Sequence, residues 1–505
     1  MIAQPDSAAE RLIAVSAVVA TGVLVALLTT LALTIVQPVY LYLVLGGIVV
    51  FLPTFVLRDP RAYWLFLLFV SIPIDIYKRT TGWIADPFVL LQNYGLPAVE
   101  TLSLDLYLTD IVLFFLIVPW LARLCLKRES FYFPKIGYIY VLFLVYSLFV
   151  SLIRSVSFYL SIFEWCRELL YFLSFLYIVN NVVTRSQLRA IVLALFAGLI
   201  IESGTIITLY YVGIGTEKPI FSALYSNSAS SFKVVEHTHY AGESDAGAHI
   251  KRSPGTFGHP ALAAYYLEYI LPVVLAHLVA ARSAWYRVLH GAIFAGGCAG
   301  LYLTFSRSGL AGFVCGSFAL FPVARWSRLI SRRAFEWYFF IFMLAAALAT
   351  PLVIVFLLYR PEAAHFRVEL VYKGLRDFWE RPIFGAGLNN ATAVMEGARR
   401  VLPGAKHAVF EKLHVHYLVV LVEGGLVGFL LFFGFFWQIA VTALRSMRAA
   451  ETELKLLLVG IVAAMADIAV HNFGDPFQGH VTSAMLWLYA GLVVAISRRV
   501  QTVPA

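Results

Sequence analysis

The chain has 505 residues, of which 61% are hydrophobic and 15% aromatic but only 13% charged, and its mean hydropathy is +0.82. A water-soluble fold of this length needs far more charge to cover its surface, so the composition excludes that class and points to a polytopic membrane protein. The net charge of +9 then asks for a topological explanation rather than nucleic-acid binding.

Apolar segments of roughly 17 to 25 residues, the length that crosses a bilayer as a helix, recur about fourteen times. In chain order they cover 12–36, 39–57, 62–76, 107–126, 136–153, 159–180, 188–214, 258–281, 286–304, 308–324, 336–359, 415–442, 454–472 and 480–497. The first is too long for a signal-peptide core and is read as a retained span. The third is short and Pro322 interrupts the tenth, so the expectation is an all-α bundle of about 14 spans, within a range of 12–14. The four cysteines, Cys125, Cys166, Cys298 and Cys315, have no zinc-type spacing and indicate no disulfide framework.

With a cytoplasmic N-terminus, the short inner connections are 58–61, 123–135, 184–189, 281–287, 325–333, 445–455 and the C-terminal "SRR". Each carries two or more Lys or Arg, as the positive-inside rule requires. Residues 1–505 are then one integral membrane domain, with long outer segments at 77–106, 215–257 and 360–414. The last, rich in Arg and Lys, is the main outer loop and carries the functional region.

Five constellations could carry chemistry. In "KRSPGTFGHP" (251–260), Arg252 precedes a Pro-Gly turn and a helix start. Glycine lets a backbone approach an anion, and a helix N-terminus offers free N–H groups; an interfacial turn with a snorkelling arginine fits equally. In "YLTFSRSGLAGF" (302–313) the only charge, Arg307, sits on the outer side, where topology does not favour it, and its guanidinium fork suits phosphate oxygens.

In "HFRVELVYKGLRDFWERPIFGAGLNN" (365–390), Phe366, Leu370, Val371, Leu375, Phe378 and Trp379 share one helical face. Arg367, Lys373, Arg376 and Asp377 lie off it, so the pattern predicts an amphipathic helix on the outer membrane surface. "RPIFGAG" should end it in a turn able to offer N–H groups to an anion. Glu164, Arg167 and Glu168 share a face of the sixth span and read as an intramembrane ion pair; Glu202, Glu268, Glu423 and Asp467 are further intramembrane ionisable groups.

The fifth is "HVHYLVVLVEGGLVG" (414–428). On a helix His414 and His416 point about 200° apart. A metal clamp would need extended backbone or a third ligand, and His237, His239, His407 and His480 offer no fixed spacing. A lone histidine acting as general base fits better.

Together these motifs resemble the O-antigen polymerase and O-antigen ligase superfamily, bacterial membrane glycosyltransferases. The resemblance spans 251–429, where Arg252 and Gly255, then Ser306 and Arg307, then Pro382, Gly385 and Gly387, then His414, Leu418, Glu423 and Gly425 match the family pattern in order. Arg367 matches an arginine often found ahead of the third motif. Ala261 and Val415 depart from it, each standing where asparagine is usual.

The resemblance implies an inverting, metal-independent transferase without a cofactor, in the bacterial inner membrane with both termini cytoplasmic and its active site periplasmic. Arg252, Arg307 and Arg367 would hold the diphosphate of an undecaprenyl-diphosphate-linked glycan donor. His414 would be the catalytic base toward a glycan acceptor, and Gly385, Gly387, His416, Tyr417 and Glu423 would support them. No Asp-x-Asp motif is present, in keeping with the metal-free route. Membrane lipids and a chain-length regulator are the further partners considered; nucleic acid is not one. The span count favours a repeat-unit polymerase over a ligase acting on lipid A-core or on protein. A flippase of lipid-linked sugars would better explain Glu164, Arg167, Glu168 and Asp467.

Overall fold

The computed structural model describes residues 51–74, 77–79, 105–212, 252–257, 259–358, 361–394, 399–400, 409–410, 413–475 and 479–502. The expected span 12–36 and most of 39–57 lie outside these residues, as do most of the expected outer segments 77–106 and 215–257. The chain divides into two compact units, residues 1–66 with 184–191 and residues 67–183 with 192–505. The candidate site and the elements that position it belong to the second.

Among the described residues the chain is mostly helical: α1 (Pro60–Ser71), α2 (Leu108–Cys125), α3 (Gly137–Arg154), α4 (Phe158–Asn181), α5 (Arg185–Val212), α6 (Pro260–Ala280) and α7 (Ala284–Leu303). Then come α8 (Arg307–Trp326), α9 (Arg332–Leu358), α10 (Pro361–Glu380), α11 (Ala391–Val394), α12 (His416–Met447), α13 (Thr452–His471) and α14 (His480–Thr502). There are two short antiparallel ladders: β1 (Tyr77–Arg79) pairs with β2 (Asp105–Tyr107), and β3 (Arg399–Arg400) with β4 (Val409–Phe410).

Among the described residues eight helices are long and apolar enough to cross a membrane, namely α2, α3, α5, α6, α8, α12, α13 and α14. The fold is therefore a polytopic helical membrane protein. Two expectations change. The third span is only the 12-residue α1, about 18 Å of helix against an apolar core of about 30 Å. Pro322 does not break the tenth span: α8 runs unbroken through it.

The largest correction is in α12. Its 32 residues would make a straight rod of about 48 Å. Gly425 breaks it with φ 59° and ψ −169°. The His416 ring lies 6.1 Å from that of Phe432, and Tyr417 5.0 Å from Phe433, although sixteen residues of straight helix would separate each pair by about 24 Å. The chain thus reverses. A half-helix over 416–424 folds back on a spanning helix over 426–447, so 415–442 is not one continuous span.

Glycine makes the reversal possible, because the backbone of "PIFGAG" fits against it. Leu426 N–H donates to Pro382 O (2.8 Å), Ala386 N–H to Val422 O (2.9 Å) and Gly387 N–H to Glu423 O (2.9 Å). Tyr146 Oη donates to Ile383 O (3.0 Å) and Gly424 O (2.9 Å). A Cβ on Gly385 would collide with the Glu423 carbonyl, and one on Gly425 with the Ile383 carbonyl.

Lipid offers little hydrophobic drive between helices, so close packing has to hold the bundle. Trp487 of α14 packs at 4.3 Å from Tyr140 of α3 and 5.1 Å from Phe435 of α12, contacts worth about 0.5–1.5 kcal/mol each. Basic side chains gather at one end of the helices: Arg448 lies 4.4 Å over the Trp326 ring and Arg498 4.4 Å over Tyr132. The N-termini of α6, α8, α12 and α14 lie at the other.

α10 is helical as expected, but its face is shared differently. Leu370 is fully buried in a cluster with Leu413, Leu418 and Val422, against which Val371 and Phe378 pack. Leu375 and Trp379 are exposed instead.

Candidate active site

The site grows from a turn that the sequence reading did not single out. At the end of α13 the residues His471, Asn472 and Asp475 pack against four other elements. The Arg367 Nη2 of α10 approaches Asp475 Oδ1 at 3.6 Å. Ser308, in the first turn of α8, donates to Asp475 Oδ2. Tyr265 Oη of α6 donates to Asn472 Oδ1 (2.8 Å) and to Asp475 O (2.9 Å). The backbone N–H of His416, the first residue of α12, donates to Asn472 O (2.9 Å), and Tyr417 Oη to Ala469 O (2.6 Å).

His471 continues the network inward. Its Nε2 is 3.4 Å from Asp475 Oδ2, its Nδ1 is 2.5 Å from Glu268 Oε2, and its ring stacks on Tyr265 at 3.6 Å. Burial alone raises the Asp475 carboxyl. The hydrogen bond and charge of His471, then Arg367 and Ser308, reverse this and hold it well below the usual carboxylate range.

Three helix N-termini converge here. Ser306 caps α8, its Oγ accepting from Gly309 N–H (3.2 Å), which places Arg307 at the first helical position. His259 caps α6 through Nδ1, and extended Val415 precedes α12. Each terminus carries a positive partial charge and N–H groups without intrahelical partners. Arg252 joins from the side: its Nε donates to Thr304 O (3.0 Å), and Ser253 N–H to Leu303 O (3.1 Å), docking "RSPGTF" beside the start of α8.

The structure thus brings Arg252, Arg307, Arg367, His416 and Tyr417 to one end of the bundle, and half-buried His414 stands two residues ahead of His416. The pair is separated differently from the helical expectation. His414 lies outside the helix, whereas His416 is inside it, only 7% exposed and packed against Phe432 and Phe433.

Two expected anion cradles are filled by the protein itself. In "RSPGTF", Gly255 (φ 60°) does bring the backbone up to an anion, but that anion is Glu202: Thr256 N–H and Oγ1 both donate to its carboxylate. In "PIFGAG" the N–H groups of Gly385, Ala386 and Gly387 go to Arg381 O, Val422 O and Glu423 O. The backbone of Gly385 and Gly387 packs against and bonds to the region of the reversal, Gly385 at the Glu423 carbonyl and Gly387 N–H to Glu423 O. Glu423, which accepts from Ala391 N–H (3.3 Å), lies seven residues beyond His416, about 10 Å along the half-helix.

The intramembrane carboxylates have distinct settings. Glu202 serves the turn, Glu268 holds His471, and Asp467 lies against Gly316 of α8. Sequence reasoning missed Asp475, His471 and Tyr265. The available signal was "HNFGDP", a polar run between two spans with a His and an Asp one helical turn apart.

Fold and site together define a polytopic membrane protein with a cluster of arginines, a histidine and several helix N-termini at one end of its bundle. Residues 292–433 match the family model described as O-antigen ligase, which supports the O-antigen polymerase and ligase superfamily as the family of this chain. The matched region contains Arg307, Arg367, Gly385, Gly387, His414, His416, Tyr417 and Glu423, with Arg252 ahead of it. No curated protein matches the chain.

Proposed function

We propose that the protein is an inverting, metal-independent glycosyltransferase that moves an undecaprenyl-diphosphate-linked oligosaccharide onto a glycan acceptor, and that it works as a polysaccharide repeat-unit polymerase. The observation that carries this is the convergence on the 472–475 turn: Arg367 and the first turn of α8 both reach Asp475, and the start of α12 docks on Asn472. Cations and positive helix ends gathered at one point suit an anionic ligand, and a diphosphate leaving group acquires charge in the transition state.

Arg252, Arg307 and Arg367 bind the diphosphate. His414 takes the proton of the acceptor hydroxyl as its oxygen attacks the anomeric carbon. The bond from that carbon to the diphosphate oxygen breaks on the opposite face, inverting the centre and releasing undecaprenyl diphosphate. The basic connections lie on the cytoplasmic side of the inner membrane, as do both termini, so the site is periplasmic. The description of the matched family supports a second reading, ligation of the glycan onto lipid A-core.

Purified protein given a radiolabelled lipid-linked donor tests the reading. Glycan transfer or release of undecaprenyl diphosphate in detergent supports a transferase; translocation in vesicles without transfer supports a flippase instead. Elongated products favour polymerase, and lipid A-core adducts favour ligase. Dependence of product length on an added chain-length regulator would strengthen the polymerase reading.

A further inference from the structure

A second polar cluster lies between α2, α4 and α14, and the proposed chemistry leaves it unused. Arg167 of α4 lies within electrostatic range of Glu164, Asp110 and Glu168. Among the described residues, however, its guanidinium has no hydrogen bond and no ion pair within 4.0 Å. A half-buried arginine that carries five N–H donors, with no hydrogen bond from any of them to the described residues, is an expensive arrangement and marks a candidate functional site. Glu164 likewise accepts no hydrogen bond from the described residues and is only partly buried.

His480, only 4% exposed, accepts or donates through Nδ1 to Tyr171 Oη (3.1 Å). Its Nε2 has no hydrogen-bond partner among the described residues and points at Asp110 Oδ1, 3.6 Å away and also without one. Its ring stacks on Tyr107 at 4.0 Å. Glu423, at the far end of the half-helix from His416, is within electrostatic range of Glu164 and Glu168.

The chemistry narrows the ligand. A phosphate would meet Arg167 but also three carboxylates. A metal cation would meet the carboxylates but also Arg167. A sugar ring has hydroxyls that donate to carboxylates and accept from a guanidinium, and it carries no net charge. The half-helix runs about 10 Å from His416 to Glu423, and Glu423, at its far end, is within electrostatic range of Glu164 and Glu168, a span that a short oligosaccharide covers. We infer that Arg167, Glu164, Asp110 and His480 form a saccharide subsite that holds a sugar residue of the glycan one or more units away from the reacting carbon. The inference takes its substrate class from the transferase reading.

The test uses the full chain in nanodiscs. The probes are undecaprenyl diphosphate alone and the free repeat-unit oligosaccharide released from its lipid by mild acid. Arg167→Lys keeps the charge but loses the planar fork, and Glu164→Gln keeps the shape but loses the carboxylate. Both are expected to weaken oligosaccharide binding at least about tenfold and leave undecaprenyl diphosphate binding within about twofold. During turnover, a raised KM for acceptor with kcat retained assigns the subsite to the acceptor glycan. A raised KM for the lipid-linked donor assigns it to the donor glycan.

Unchanged oligosaccharide binding in both variants, or no binding by the unaltered protein at millimolar oligosaccharide, overturns the inference. If Arg167→Lys does not fold, partly exposed Glu164 carries the test. Oligosaccharide binding that depends on these residues in a protein that transfers nothing would uphold the subsite and reject the transferase reading.

Discussion

Arg367 and Asp475 face each other at 3.6 Å, joining the amphipathic helix α10 to the turn after α13. The Arg367 side chain is 44% exposed, and an ion pair in such a setting contributes about 0–1 kcal/mol to stability. Its importance is positional: it aims a guanidinium at the place where Ser308 and the α8 N-terminus also point. Asp475→Asn should therefore lower kcat/KM of the folded protein at least about tenfold, over and above the stability lost with its ties to His471 and Ser308. Steady-state kinetics beside a thermal melt check this; a large loss of stability with normal turnover of the folded fraction contradicts it.

The same carboxyl gives a pH expectation. A carboxylate held below its unfolded pKa contributes stability above that unfolded value and loses it as pH falls through the folded one. Asp475 is held well below the usual range, so its ties persist through mild acid. An acid limb in the transfer rate above about pH 5 must then belong to another group. A midpoint that Asp475→Asn leaves in place fits; one that this substitution moves by a full unit or so contradicts the assignment.

The half-helix depends on a residue without a side chain at the reversal. Gly425→Ala forces an L residue to φ 59°, ψ −169° and drives its Cβ into the Ile383 carbonyl. We expect a loss of at least about 2 kcal/mol, visible as poor yield and early unfolding in detergent titration. Normal stability in that variant would mean that the half-helix does not fold back.

Gly255 makes a separate expectation. A Cβ there meets the Glu202 carboxylate, so Gly255→Ala should be destabilising, and combining it with Glu202→Ala should cost less than the two changes added. A coupling of about 1 kcal/mol or more is expected in a double-mutant cycle. Strict additivity would separate this turn from Glu202.

Much of this architecture was legible in the sequence. Membrane class, the positions of most described spans and the α10 helix follow from hydrophobic length and period, because a bilayer forces spanning backbone into helices. Arg307 stood out as charge where topology disfavours it, Arg252 beside a Pro-Gly turn, Arg367 on an amphipathic helix, and the "HVH" pair as histidines at the start of an apolar run.

Other features could not be read. Hydropathy cannot tell a 32-residue apolar run from a half-helix folded on a span, since the reversal at Gly425 is itself apolar. Glycine-rich turns look alike whether they cradle a ligand or a neighbouring backbone; "PIFGAG" does the second, and the partner that reveals it, Val422 to Leu426, lies some forty residues downstream. Asp475 gains much of its meaning from Arg367 and Ser308, each more than a hundred residues earlier.

The central claim is that His414 activates the acceptor while the arginines hold the donor. Its most direct test is His414→Ala with lipid-linked donor and acceptor in detergent, measuring transfer and undecaprenyl diphosphate binding on the same preparation. The account predicts transfer lowered at least about a hundredfold with diphosphate binding within about twofold of the unaltered protein; near-normal turnover with the acceptor would contradict it.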